Sequence, residues 1–217
     1  MKIDELVIFT NKLDQQIDFY ATILELPVVN STPESTSVKI GNSVLTLKYK
    51  SNAVPNHFAI NIPSNKEKEA LYWLRERVDI LQFDNQEIIN FSSWNAKALY
   101  FYDLDKNIVE LIARKNLNLI SNTKFSSKSM LNISEIGIMT NQIHEIYQKL
   151  NSLKAIEVYS GNFEKFCAVG DEEGLFIMVN NELKRWFPTG DLIEQSEFII
   201  KGDFNFKYFN GQIIEIS

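Results

Sequence analysis

Apolar positions along the chain switch between two periods, and the switches recur. Glu5-Leu-Val-Ile-Phe-Thr-Asn11, His57-Phe-Ala-Ile-Asn-Ile62 and Glu135-Ile-Gly-Ile-Met-Thr-Asn141 each open on a polar residue and continue as a strand-length apolar run. A stripe at helical spacing follows each run. The first contains Leu13, Ile17, Tyr20 and Leu24, the second Ala70, Leu71, Leu74 and Val78, and the third Ile143, Ile146, Tyr147 and Leu150, so each helix has one face to bury. Asn11 with Asp14, and Ser64 with Glu67, are placed as helix caps with their partners three residues on. Every unit then closes in a hairpin and a final strand: Gly41 to Tyr49, Asp105 to Ile112, Asp171 to Val179 and Asn210 to Ile216.

This repetition predicts four βαβββ-like units, the last abbreviated, because residues 196–217 hold strands but leave no room for a helix. The expected class is α+β, with repeated βαβββ modules paired into U-shaped mixed sheets. Residues 116–132, rich in Ser, Asn and Lys, read as a linker. The expected organisation is a first pair of modules in residues 1–115 and a second pair in residues 133–217.

Composition removes several classes of function. Lys plus Arg is 22 and Asp plus Glu is 28, so the net charge of −6 argues against a nucleic acid held through its phosphates, and no basic run offsets it. Apolar stretches are strand-sized, too short to span a membrane, and Met1-Lys-Ile-Asp-Glu5 leads into a strand instead of a signal sequence. The expected location is the cytoplasm. The single cysteine, Cys167, excludes an internal disulfide and reads as a small buried hydrophobe in a strand.

Candidate chemistry centres on Phe101-Tyr-Asp-Leu-Asp-Lys-Asn-Ile-Val-Glu110-Leu-Ile-Ala-Arg114. Its turn residues lead into a β-branched strand with Glu110 on one face. A carboxylate buried in such a strand needs a partner, and a metal ion suits that context.

These residues, with Phe19-Tyr20 and the strand that starts at His57, resemble the vicinal oxygen chelate superfamily of glyoxalases, extradiol dioxygenases, fosfomycin-resistance enzymes and bleomycin-binding proteins. The resemblance covers essentially the whole chain. Tyr100 to Leu111 is similar to the family's aromatic strand, Asp-Pro-Asp-Gly-Asn turn and Ile-Glu-Leu strand. It implies that paired units curve around a metal held by the first and last strands. Carried over residue by residue, the ligands are Glu5, where the family often has His, with His57 and Glu110. Thr46 stands where some members have a fourth ligand.

The implied cofactor is one divalent ion, Mn, Fe, Zn or Ni, whose charge the two carboxylates balance. Without His57 as a ligand the carboxylates would repel and one would be protonated. The resemblance further implies an enzyme acting on a small molecule with adjacent oxygens, by isomerase or lyase chemistry with Glu110 or Glu5 moving the proton, or by ring cleavage. Ring cleavage would imply a two-histidine, one-carboxylate site with further acid-base histidines nearby, and the chain has only two histidines in total. The alternative is a non-catalytic small-molecule binder of the bleomycin-resistance type. Either a monomer or a homodimer is consistent with the pattern.

Strand alternation makes Phe9 on the face of Glu5, Asn61 on that of His57 and Arg114 on that of Glu110, with Tyr100 on the neighbouring strand and Trp94 at one end, the candidate trough-lining, substrate-binding residues. Arg114 is placed to hold an acidic substrate group. For the aromatic residues, core packing is the plainer role. In the second half Glu135, Glu197 and Glu215 occupy related positions without a histidine, so that half reads as a structural partner of the first, with a binding site there as the lesser alternative. His144 falls on the polar side of its helix. Arg185-Trp-Phe-Pro-Thr-Gly190 reads as a turn that packs Trp186 and Phe187 between units, with no chemistry assigned.

Overall fold

The computed structural model describes residues 1–216, and the first three repeats each fold into a strand, a helix and a set of hairpin-linked strands. Module one is β1 (Ile3–Thr10), α1 (Leu13–Asp18), β2 (Val28–Thr32), β3 (Ser35–Ile40) and β4 (Ser43–Tyr49). Module two is β5 (His57–Ile62), α2 (Glu67–Arg75), β6 (Ile80–Leu81), β7 (Ile89–Phe91), β8 (Ala96–Tyr102) and β9 (Ile108–Arg114). Module three is β10 (Asn132–Met139), α3 (Ile143–Leu153), β11 (Val158–Asn162), β12 (Phe166–Asp171) and β13 (Gly174–Val179). The fourth has β14 (Phe198–Gly202), β15 (Phe206–Phe209) and β16 (Gln212–Glu215), with no helix.

The helix starts differ from the caps read in the sequence. Thr10 Oγ1 accepts the Lys12 backbone N–H at 2.9 Å and Thr140 Oγ1 accepts that of Gln142 at 3.0 Å, so a threonine at or just after the end of the strand makes the turn in both modules. Asn11 does not cap α1. Ser64 does not cap α2 either, because its hydroxyl donates to the Arg114 carbonyl at 2.8 Å.

Within each of the first three modules the first strand lies parallel to the last. One sheet runs β16-β15-β14-β1-β4-β3-β2 and the other runs β11-β12-β13-β10-β5-β9-β8-β6, with β7 on β8. Module one therefore joins module four through antiparallel β1 and β14, and module two joins module three through antiparallel β5 and β10. This nested arrangement corrects the expected pairing of consecutive modules. Local patterning marks a strand but not its neighbour, and loop closure becomes only logarithmically costlier with length, so a distant partner is hardly penalised.

The main core draws Leu6 and Ile8 from β1, Phe58 and Ile60 from β5, Ile136 and Ile138 from β10, and Phe198 and Ile200 from β14, so it is continuous between the sheets. The helix stripes pack into it. Ser43 ties the sheets together: its hydroxyl donates to the Ile3 carbonyl at 2.5 Å and accepts the Ile133 N–H at 3.0 Å. Two smaller clusters line the other face of the larger sheet. Among the described residues no helix is long and apolar enough to cross a membrane.

The turn before β9 is organised by Asp103, which is 3% exposed. One carboxylate oxygen accepts the Asp105 and Asn107 backbone N–H groups at 3.0 and 2.9 Å, and the other accepts the Asn107 amide and the Tyr20 hydroxyl, both at 2.7 Å. Asn107 in turn accepts the Asn56 N–H at 2.6 Å, just ahead of β5. Asp103→Ala strands the buried Tyr20 hydroxyl and Asn107 amide. It should cost about 3 kcal/mol by denaturant unfolding, and Tyr20→Phe about 1 kcal/mol.

Candidate metal centre

Three strands supply the site, and Ala59 lies at its centre. In the ladders, Ala59 of β5 faces Glu110 of β9 on one side and Glu135 of β10 on the other. His57 stands two residues before Ala59, on the same face. The small side chain of Ala59 leaves the space into which the three larger ones converge. Donor atoms of His57, Glu110 and Glu135 all lie within 4.8 Å of one another, and all three residues are buried.

Glu5 is not part of this group. It lies on β1 in the other sheet, where its carboxylate accepts from Thr46 Oγ1 at 2.7 Å and pairs with Lys201 at 2.7 Å. The expected Glu5 ligand is thus replaced by Glu135, the same position in the third repeat, because β5 pairs with β10 and not with β1. The structural role assigned to the second half is corrected with it. Thr46 binds Ser37 and Glu5 on that separate sheet, and Phe9 lies there beside Lys50.

Charge is poorly compensated at the centre. Burial holds Glu110 well above the ordinary carboxylate range, the neighbouring Glu135 carboxylate adds to this, and Arg114 and the facing Tyr100 phenol oppose it. Glu135 is also raised by burial, against the pull of Arg114. Burial lowers His57 to about 4, with the Ile108 backbone acting weakly the other way, so the imidazole is neutral at pH 7. Its Nε2 is 3.5 Å from a Glu110 oxygen, while Nδ1 has no hydrogen-bond partner among the described residues.

Arg114 is 1% exposed and forms an ion pair with Glu135, while its Nε donates to Asn61 at 3.3 Å. Asn61 and Arg114, two of the five residues expected to contact substrate, are therefore engaged in supporting the centre. Asn61 also donates to the Glu172 carbonyl at 2.9 Å. The Arg114 guanidinium lies 5.5 Å from the centre of the Trp94 ring.

A cavity of about 300 Å³ opens over the three donors. Trp94 and Tyr100 line it, with Phe91, Phe166, Trp186 and Phe187. Trp186 is the residue whose role the sequence did not reveal. Its ring centre is 5.2 Å from that of His57, and a Cβ on Gly137 would meet the indole at 2.5 Å. The Gly137 position is the one sign in the sequence, since the corresponding residues of the other repeats, Val7 and Ala59, carry side chains.

No protein-family model and no curated protein sequence matches the chain. Solved structures do. A Bacillus subtilis protein with a provisional dioxygenase name superposes with a TM-score of 0.61 at 14% identity, over 82% of this chain and 63% of its own. A mutant of glyoxalase I from Zea mays gives 0.54 at 14% identity, over 82% of this chain and 66% of its own. The chain has the vicinal oxygen chelate fold. It spans less than two thirds of the length of either of these vicinal oxygen chelate proteins.

The donor set fits a divalent cation: two like-charged carboxylates and a neutral imidazole converge in a buried place, and one carboxylate has no cationic side chain of its own. Without a cation the strain falls on Glu110. Its folded-state pKa lies above the unfolded value, so its stabilising contribution is full in acid and is lost as pH rises through the folded-state value. His57 behaves oppositely, losing stability as pH falls from 6.5 to about 4. Metal-free Glu110→Gln should therefore be more stable than the parent at pH 8, on the order of 1 kcal/mol, with the gap closing toward pH 5; thermal unfolding at both pH values measures it.

Proposed function

We propose that the chain is a metal-dependent enzyme of the glyoxalase and dioxygenase kind, acting on a small molecule with adjacent oxygens. The observation that carries this reading is the convergence of His57, Glu110 and Glu135 beneath an aromatic-lined cavity. These three residues would hold one divalent ion, of Mn, Fe, Zn or Ni, leaving room for ligand oxygens. When bound, such an ion supplies Lewis acidity to an oxyanion that develops on the substrate.

The chain's own groups have separate tasks. Glu110, whose carboxyl is held high by burial, takes a proton on its carboxylate oxygen and returns it. Tyr100 faces it directly across the β8–β9 ladder, and its buried phenol stays protonated and able to donate. Arg114 fixes the Glu135 carboxylate, and Trp186 covers the His57 ring from water. Neutral His57 keeps a lone pair free for a cation at pH 7.

A second reading, a binder that holds a small molecule without metal, is favoured by the Arg114–Glu135 ion pair, which neutralises one carboxylate internally. Metal content separates the two. Protein dialysed against Mn²⁺ or Zn²⁺ should carry about one ion per chain by elemental analysis. His57→Ala and Glu135→Gln should each abolish uptake, and Glu5→Gln should leave it unchanged. Uptake that survives the first two substitutions would reject the ligand set, and a parent protein that takes up no ion would leave the binder.

A further inference from the structure

The segment between β13 and β14 closes one side of the cavity, and its sequence there is Lys184-Arg185-Trp186-Phe187. All four residues line the space. Trp186 and Phe187 are held inside by ring contacts, Trp186 on His57 and Phe187 5.6 Å from both Phe91 and Tyr100. The two basic residues have no acidic partner among the described residues, in a chain of net charge −6. Lys184 lies 4.2 Å from the centre of the Phe166 ring, which pins its ammonium at the cavity wall. Burial and then Lys165 lower its pKa, so Lys184 sits in a field that is already positive.

Burial gives the cavity a direction. His57, Glu110 and Glu135 are its sealed end, while Lys184 is half-buried and Arg185 exposed. Between the two ends the wall is ring surface, chiefly Phe91, Trp94 and Phe166. Acidic groups and an anion-binding pair are thus held apart by an apolar middle. A volume of about 300 Å³ is at the small end of the range for small-molecule sites, ~300–1,000 Å³, and holds one or two fused rings.

We infer that the ligand is an aromatic molecule carrying one anionic group, its ring held between Trp94, Phe91 and Phe166 and its anion by Lys184 and Arg185. This rests on the reading above for the cavity as the ligand site, and it adds the class of ligand. It also moves the acid-holding role from Arg114, which is spent on Glu135, to the β13–β14 segment.

The test compares 2-naphthoate with its neutral analogue 2-naphthamide by calorimetry, in chelator and again with Mn²⁺. The carboxylate should bind about tenfold more tightly in both conditions. The ratio should fall to about one in Lys184→Met/Arg185→Met and persist in Lys184→Arg. These side chains lie at or near the surface, so the folding core is left intact. Equal binding of the two probes, binding of neither, or a ratio unchanged in the double variant would overturn the inference. A protein that keeps the preference but takes up no metal defeats only the metal reading; one that takes up metal without the preference defeats only this inference.

Discussion

The antiparallel ladder between β5 and β10 is the contact on which both sheet and site depend. It joins the second module to the third, makes a continuous nine-stranded sheet, and sets Glu135 beside Ala59, across from Glu110. A one-residue slip would turn Glu135 to the opposite face, into the main core, because side chains alternate strictly along a strand. Register is therefore held from both sides. Ile136 and Ile138 fill the core on one face, while Glu135 and Gly137 serve the site on the other.

The site is an arrangement of charge that the surrounding apolar packing makes costly. With His57 neutral, two carboxylates face one guanidinium, and a net negative charge is left in a buried place at the base of the cavity. A proton on Glu110 or a cation among the three donors removes it, and the same burial that raises Glu110 makes it able to exchange between those states. Ring surfaces keep bulk water away. Trp186 does this for His57 and can lie so close only because Gly137 has no side chain.

The other pair of modules shows what the same scaffold does without that charge problem. At the positions corresponding to the site, Glu5 is partly exposed and answered by Thr46 and by the Lys201 ammonium, so burial, which would raise its carboxyl, is outweighed and it lies below the ordinary range. A lysine side chain thus supplies there the positive charge that the buried centre lacks. Both halves of the fold are built from one repeated unit, yet among the described residues only one carries an unbalanced polar cluster under a cavity.

Much of this was legible in the sequence because it depends on neighbours along the chain. Four modules, three helix faces, the missing fourth helix, the Asp103 turn and the facing of Glu110 follow from strand and helix periodicity and from local turn chemistry, while the family resemblance singles out His57. The helix caps were misread at Asn11 and Ser64, where a threonine in the preceding strand and a carbonyl in β9 compete for the same bonds. The choice of Glu135 over Glu5 depended on which strand edges meet, and periodicity carries no record of that, since both residues hold the same place in their repeats. Trp186, Lys184 and Arg185 lie in an irregular segment with no period to read, so only the folded chain brings them to the cavity over His57, Glu110 and Glu135.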